Sequence, residues 1–248
     1  MTKIRLRFSK SGALCYIGHL DFLKVFQQTI RRAKLPVAYS QGFNPHMLLS
    51  FALPLPLGMA STSDYADLTL EHEMPYDELV SQFNAHAPRG LRLTTAWEFS
   101  GPGAAALVTA ADYMFIMEMP DSVNKDMYAT QEKADEIVQA LLNRENIVIP
   151  KKTKSGIKDT DIRPDLMDIY VPGVGKSGNY KSFDFAAIPF NASILMRLAA
   201  GSGRFLNPLI VANLILGHDT DPSTIVRHEL YHHANDKELT PLYETPIH

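Results

Sequence analysis

The sequence has little cysteine and no long apolar run. Cys15 is the single cysteine in 248 residues, which excludes an internal disulfide and a cysteine-based metal or iron–sulfur site within the chain. No apolar stretch reaches the length of a membrane-spanning helix, and the first residues alternate charged with apolar side chains, unlike a signal peptide. We therefore expect a cytoplasmic protein without a membrane partner.

A strong net charge is also absent, because 24 Lys and Arg residues oppose 27 Asp and Glu residues. The net charge of −3 conceals a local excess: residues 1–40 contain eight basic residues and a single acid, Asp21, whereas acids dominate residues 64–145. A basic segment in a mildly acidic protein indicates a local surface for an anion such as RNA. A solvated helix face would account for part of the same excess.

The first hundred residues have the pattern of a ferredoxin-like unit. Apolar residues alternate with basic ones at the N-terminus, which predicts a half-buried strand. Helical spacing of apolar residues follows and stops before Pro36. The remaining patterns complete the element order βαββαβ. The six elements are predicted over residues 3–8, 20–35, 47–55, 65–71, 75–85 and 91–99.

The second half begins after a Gly/Pro-containing break at 100–106, which predicts a linker. Asn207 is a natural N-cap before Pro208, and Gly217 ends the predicted helix 209–216. We predict an α+β protein of tandem ferredoxin-like units, the second decorated with insertions, with domains 1–102 and 103–248. The other predicted elements are strands at 113–119, 146–150 and 194–199, a helix at 129–142, a basic hairpin at 151–158, and strands or short helices at 167–171 and 183–188.

Arg5 and Arg7 lie on the side of the first strand that faces away from the predicted core. In a ferredoxin-like unit the helices cover one face of the sheet, so both arginines would line the open face, where RNA-recognition modules bind single strands. The strands lack the outward aromatic pair of a stacking platform. The strand at 65–71 offers Asp67 and Glu71 as cross-strand partners. An anion-binding face and structural ion pairs both remain open.

Two other motifs are assigned structural roles. His228-Glu229-Leu230-Tyr231-His232 matches the zinc-protease pattern, in which a helix places two histidines on one metal. Strand-forming residues around this motif predict a strand instead, and neither Glu238 nor Glu244 has the spacing of a third ligand. The glycine-rich turn at 201–204 lacks the lysine of a phosphate-binding loop. We expect no metal, no cofactor and an incidental histidine cluster.

The segment 39–58 combines a loop of fixed shape with a short buried strand. Glycine, asparagine and proline shape the loop 40–46, and apolar residues follow at 47–55. A simple turn would explain the same composition. Polar and aromatic residues in this loop and at both ends of the first helix define a predicted functional surface. It comprises Tyr16, His19, Asp21, Arg31, Arg32, Ser40, Phe43, Asn44 and His46. Whether His19 and His46 belong to one site stays open.

Several motifs in the first sixty residues together resemble one bacterial family. The motifs are Arg7-Phe8-Ser9-Lys10, Tyr16-Ile17-Gly18-His19-Leu20-Asp21, Arg31-Arg32-Ala33-Lys34-Leu35-Pro36, Tyr39-Ser40-Gln41-Gly42-Phe43-Asn44-Pro45-His46 and Pro54-Leu55-Pro56-Leu57-Gly58. The chain resembles the radical-SAM-associated (radical-SAM-linked) protein family, a bacterial domain of unknown function, most densely over residues 3–70. Many relatives have Pro-Lys where this chain has Met47-Leu48, so if a lysine there binds an anion, this chain lacks it.

The resemblance implies a partner and no reaction, because family members stand alone or are joined to a radical SAM enzyme. Two classes of function follow. The first is a non-catalytic accessory protein that binds RNA or another anionic substrate for a separate radical SAM enzyme. The second is a metal-independent RNA-processing or RNA-modifying enzyme, in which His19 or His46 is the general acid or base and Arg5, Arg7 or Arg32 stabilises phosphate charge. We prefer the first, because no motif places a nucleophile beside a base.

Overall fold

A computed structural model describes residues 1–116, 127–153, 156–172, 193–235 and 238–244. Two compact units divide the chain: Met1–Ala111 with Val226–His248, and Asp112–Ile225. The described residues contain five α-helices and eleven strands, so the predicted α+β class is confirmed. None of the described helices has the length and apolar character needed to cross a membrane.

The elements follow one another in the chain with these bounds. The strands are β1 (Thr2–Lys10), β2 (Leu49–Phe51), β3 (Ala60–Leu70), β4 (Leu91–Glu98), β5 (Ala110–Ile116), β6 (Val148–Thr153), β7 (Gly156–Asp161), β8 (Leu166–Tyr170), β9 (Ser193–Ala199), β10 (Ile225–Asn235) and β11 (Glu238–Pro241). The helices are α1 (His19–Arg32), α2 (Tyr76–His86), α3 (Ala104–Leu107), α4 (Met127–Leu142) and α5 (Pro208–Leu216).

The sheet of the first unit is built around β1 and β3. β1 lies between β4 and β3 and is antiparallel to both. The far side of β3 has two neighbours: β2 pairs antiparallel with its C-terminal half, and β10 starts beside its first residues, where Val226 pairs in parallel with Ala60. β11 adds to β10. The elements from β1 to β4 therefore follow the predicted βαββαβ order, and β10 makes the sheet mixed.

The core of the first unit lies between this sheet and the helices α1 and α2. Alternate β1 residues, Ile4, Leu6 and Phe8, are buried there, as the period of a half-buried strand predicts. Phe26 of α1 lies with its ring centroid 4.9 Å from that of Phe83 on α2. Each large apolar side chain buried in this way contributes about 1.5–3 kcal/mol relative to exposure.

The second unit has a different element order from the first. β5 leads into a sheet with the order β5-β9-β8, and β6 and β7 form a separate hairpin. The cap prediction for α5 is confirmed: Asn207 accepts a hydrogen bond of 3.1 Å from the amide of Leu209, and Gly217 has a φ of 75°. A second βαββαβ unit is not confirmed, and the predicted elements at 117–119 and 183–188 lie outside the described residues.

Three predicted boundaries differ from the structure. The compact units are not successive segments 1–102 and 103–248, since β11 and most of β10 return to the first unit. The predicted linker contacts β3: the Ala104 amide donates to Asp67 over 2.6 Å. The predicted strand 47–55 is reduced to three residues in β2. Pro54 and Pro56 cannot donate ladder hydrogen bonds, and the Leu53 carbonyl accepts from Arg227 instead.

Candidate functional site

Arg5 is completely buried and forms a bidentate ion pair. It stands opposite Asp67 in the β1–β3 register, with Nε 2.8 Å from Oδ1 and Nη2 3.2 Å from Oδ2. The Phe99 ring lies 4.4 Å from the guanidinium carbon, and the side chain of Arg5 is 0% exposed. The prediction of an open cationic face is therefore wrong for Arg5, because its guanidinium is completely buried and paired with Asp67.

Arg7 is half-buried and also has protein partners. Its Nη2 lies 2.8 Å from Oε2 of Glu229 on β10, and its Nε donates to Ser63 over 2.6 Å. The Tyr243 ring lies 4.8 Å from its guanidinium carbon. The sequence offered Asp67 and Glu71 as cross-strand partners, and the structure confirms Asp67 for Arg5 but gives Arg7 a residue 222 positions away. No local pattern could have indicated that contact.

Glu229 is a buried acceptor in β10 and not part of a metal-binding helix. Its Oε1 accepts from the Tyr65 hydroxyl over 2.5 Å and from the Leu230 amide over 2.8 Å, while its Oε2 accepts from Ser63 and Arg7. His228 and His232 lie on the same strand, about 13 Å apart at the rise of an extended chain. Within the described residues, no cluster of three His, Cys, Asp or Glu side chains could hold a metal.

The buried Glu229 carboxylate should give the protein a measurable pH dependence. Burial raises the pKa of Glu229 above the ordinary range, against the opposing effect of Arg7. A raised folded-state pKa means that the folded protein holds the proton to higher pH than the unfolded chain. We therefore expect this residue's contribution to stability to fall as pH rises from about 4, the ordinary glutamate value, through the folded-state pKa.

The measurement is urea unfolding of the wild type and of Glu229→Gln between about pH 4 and pH 7. The free energy of unfolding of the variant is subtracted from that of the wild type at each pH. This difference should fall as pH rises. Glu71→Gln, at an exposed position, is the matched control and should give a difference that does not change. A difference that grows with pH would show that the Arg7 contact outweighs burial.

Lys10 lies on the opposite face of the sheet from Arg5 and Arg7. It continues the buried register of β1, is 3% exposed, and has its Nζ 4.7 Å from the centre of the Phe22 ring. Burial lowers the pKa of Lys10. In the sequence, Lys10 stands at a position where the alternation of β1 calls for an apolar residue. That departure from the pattern could have indicated a buried lysine, and it was missed. The neighbours of Lys10 include His19 and Asp64, which line the same small cavity of about 20 Å³.

Asp64 is held by Arg227 of β10, which is 0% exposed. The Arg227 Nε lies 2.8 Å from Oδ1 of Asp64, and its Nη2 donates both to Asp64 and, over 2.8 Å, to the Leu53 carbonyl. Nη1 reaches the Pro54 carbonyl at 3.5 Å. One arginine therefore joins β10, β3 and the segment that follows β2, and it holds the wall of the Lys10 cavity in place.

The predicted loop 40–46 is closed at its base and exposed at its tip. Tyr39 pairs with Met47, and the Ser40 amide donates to the His46 carbonyl over 2.8 Å. The Ser40 hydroxyl oxygen accepts from the His46 amide over 3.0 Å and lies 2.7 Å from the His46 Nδ1. Phe43, at the tip, is completely exposed. The sequence indicated a shaped loop, and these contacts show how the shape is held.

A groove of about 320 Å³ adjoins this loop. Its walls combine the segment from His46 to Ser50 with Lys3 of β1, Thr69 of β3 and Gly101. Lys3 and His46 give the groove one cation and one imidazole, and Leu48 and Leu49 give it an apolar wall. Asp67, which is paired with Arg5, also lines it. The groove therefore offers both charge and apolar surface beside the exposed Phe43 ring.

The predicted surface residues fall into three groups. Tyr16, His19 and Asp21 lie at the start of α1, where Asp21 pairs with Lys24 at 3.0 Å. Arg31 and Arg32 are exposed at the other end of this 14-residue helix, about 20 Å away at the helical rise. Ser40, Phe43, Asn44 and His46 form the loop. The cavities lined by His19 and by His46 share no lining residue.

Together these features define an α+β protein whose first unit combines buried ion pairs with an exposed aromatic loop beside a groove. The chain belongs to a family of uncharacterised proteins conserved in bacteria, DUF2344, which it matches over residues 3–208. No curated protein matches the chain. The predicted membership of an uncharacterised bacterial family is thereby confirmed, and the association with a radical SAM enzyme stays a prediction.

Proposed function

We propose that this protein is a non-catalytic accessory protein that binds single-stranded RNA for a separate radical SAM enzyme. The observation that carries the RNA component is Phe43, a completely exposed aromatic ring on a loop whose base is fixed by Ser40 and His46. The exposed ring on a fixed loop offers a face on which a base can stack.

The chemistry of the neighbouring surface suits a nucleic acid. Bases stack on exposed aromatic side chains, and nearby cations neutralise the backbone. Lys3 lines the adjoining groove and is exposed. Phe43 supplies the aromatic surface that the strands lack, whereas Arg5 and Arg7 are engaged by carboxylates. The proposed RNA site therefore uses the loop and the groove in place of the sheet face.

The non-catalytic assignment follows from the positions of the two histidines. His46 is tied to Ser40, whose oxygen accepts the His46 amide and so closes the loop. His19 packs edge-on against Phe51 at a centroid distance of 5.6 Å and lines the other cavity. A general acid and a general base must both reach the same reacting group. Two histidines in separate cavities do not meet this requirement.

The radical SAM partner rests on the family resemblance alone, and co-purification from the native cell tests it. The tagged full chain should recover a radical SAM enzyme together with RNA. A Phe43→Ala chain should recover the enzyme with less RNA, if the loop contacts RNA. Recovery of neither component with the wild type would contradict the proposal.

Replacing Phe43 by Ala should weaken binding of a mixed-sequence single-stranded RNA by about 5- to 150-fold. This is the range that loss of about 1–3 kcal/mol of base stacking gives. Fluorescence anisotropy at constant low salt measures the change. The variant should keep the wild-type unfolding midpoint, because the Phe43 side chain is fully exposed and its removal uncovers no buried surface.

Leu57→Ala and Lys3→Ala are the controls for this experiment. Leu57 is 60% exposed outside the loop, so its removal should leave the affinity unchanged. Lys3→Ala should lower the slope of log affinity against log salt by about 0.7, while Phe43→Ala leaves that slope unaltered. Equal losses for Phe43→Ala and Leu57→Ala would rule out stacking on the loop.

A further inference from the structure

We propose that the cavity beside Lys10 is a binding site for a small, weakly hydrated monovalent anion of about the size of chloride or bromide. The site is separate from the loop and groove of the proposed RNA surface, and the inference does not rest on RNA binding. It is carried by the burial of Lys10, the cavity that Lys10 lines, and the pairing of Asp64 with Arg227.

The Lys10 ammonium has no hydrogen bond or ion pair with any of the residues that the structure describes. The residue is 3% exposed, and its described ring contact is with Phe22, whose centre lies 4.7 Å from Nζ. A cation–π contact of this kind compensates part of the hydration free energy that the ammonium loses on burial. It gives none of the three N–H donors a hydrogen bond. A buried charge without a partner is costly, so a ligand that accepts these donors would bind favourably.

Asp64 favours the charged form of Lys10 through space and so raises its pKa, but Asp64 is itself paired with Arg227, which opposes that effect. The guanidinium of Arg227 reaches Asp64 through both Nε and Nη2. The pair is electrically neutral, so the buried set of Lys10, Asp64 and Arg227 carries one excess positive charge when Lys10 is protonated. Cys15 is buried nearby, and burial raises the pKa of its thiol, which keeps it neutral. One monovalent anion would balance the set.

The cavity selects the kind of anion by its size and by its walls. A volume of about 20 Å³ admits one or two water molecules or a monatomic ion, and it excludes a phosphate group. Phe8, Phe22, Phe51 and Leu55 provide apolar walls, and the imidazole of His19 provides a second possible donor. Apolar walls cannot replace a strong hydration shell, so an ion that loses its water easily is favoured over fluoride.

Anion binding would also offset the effect of burial on Lys10. Burial lowers the pKa of Lys10, and a bound anion would favour the protonated amine again. The site would then tie together β1, the start of α1 and the segment 53–55, all of which line the cavity.

Anomalous diffraction from crystals soaked in sodium bromide tests the proposal directly. We expect a bromide peak in contact with Lys10 Nζ in the wild type and none at this position in Lys10→Met, with the surface bromide peaks present in both. An empty cavity in wild-type crystals whose surface sites are filled would overturn the proposal. A peak that persists in Lys10→Met would indicate an adventitious ion only and would also overturn it.

A solution measurement covers the case in which Lys10→Met does not fold. At equal ionic strength, bromide should raise the unfolding midpoint of the wild type by about 2–4 °C relative to fluoride, the shift that about 1 kcal/mol of binding gives in a chain of this length. Lys24→Met, which removes a lysine that is 69% exposed, is the matched control and should keep this shift. Equal midpoints in bromide and fluoride for the wild type would overturn the proposal.

Discussion

Replacing Asp67 by Ala should lower the free energy of unfolding by about 3–5 kcal/mol, the usual cost of removing one partner of a buried ion pair. Arg5 is 0% exposed and would keep its charge without a carboxylate. The Ala104 amide, which donates to Asp67 over 2.6 Å, would lose its acceptor as well. Urea unfolding monitored by circular dichroism at neutral pH measures the change.

Two further variants separate the ion pair from simple packing. Arg5→Met with Asp67→Asn removes both charges and keeps an amide oxygen for Ala104, so it should recover most of the lost stability. Asp21→Ala removes a carboxylate from an exposed pair with Lys24 and should cost about 0.5 kcal/mol or less. If Asp67→Ala cost no more than Asp21→Ala, the burial of Arg5 would not need charge compensation and our account would be wrong.

Arg227→Ala should have an effect of similar size, about 3–5 kcal/mol, for a different reason. It leaves the Asp64 carboxylate buried without its cation and removes the donors from the Leu53 and Pro54 carbonyls. Because these carbonyls belong to the wall of the Lys10 cavity, the segment 53–55 should lose its fixed position. Hydrogen exchange at the Ala52 amide, which donates to the Tyr65 carbonyl over 2.9 Å just before this segment, should therefore accelerate.

Arg227→Lys is the matched variant for this prediction. It keeps the positive charge and loses the planar fork that reaches Asp64 and two carbonyls together. We expect an intermediate loss of stability and an exchange rate at the Ala52 amide close to that of Arg227→Ala. A lysine variant as stable as the wild type would show that charge alone matters at this position, contrary to the geometry.

The elements that local patterns govern could be predicted from the sequence. The alternation in β1, the amphipathic spacing in α1 and the Asn207 cap depend on residues a few positions apart, and each appears where it was expected. The β strand in place of a zinc-binding helix at 225–235 was predicted in the same way, from strand-forming residues. In these cases tertiary contacts agree with local preference.

The parts that depend on distant contacts could not be predicted in this way. Arg5 and Arg7 have the same alternation in the sequence, yet Arg5 is fully buried, with the Pro102 carbonyl after β4 as a second acceptor beside Asp67, and Arg7 is 30% exposed and pairs with Glu229 of β10. Lys10 ends the motif Arg7-Phe8-Ser9-Lys10, yet that motif does not indicate that it is buried; its burial follows from the register that it shares with Phe8. The division of the predicted surface into three groups likewise depends on where α1 ends relative to the loop 40–46.

The return of β10 to β3 has a consequence for the way the chain is synthesised. Arg227 meets Asp64 across 163 positions and Glu229 meets Arg7 across 222, so the N-terminal strands leave the ribosome long before their charged partners exist. Contacts of such long sequence separation slow folding. During translation the nascent first unit holds Asp64, Tyr65 and Arg7 without their final partners. We expect the chain to depend on chaperones during this interval and not after folding is complete.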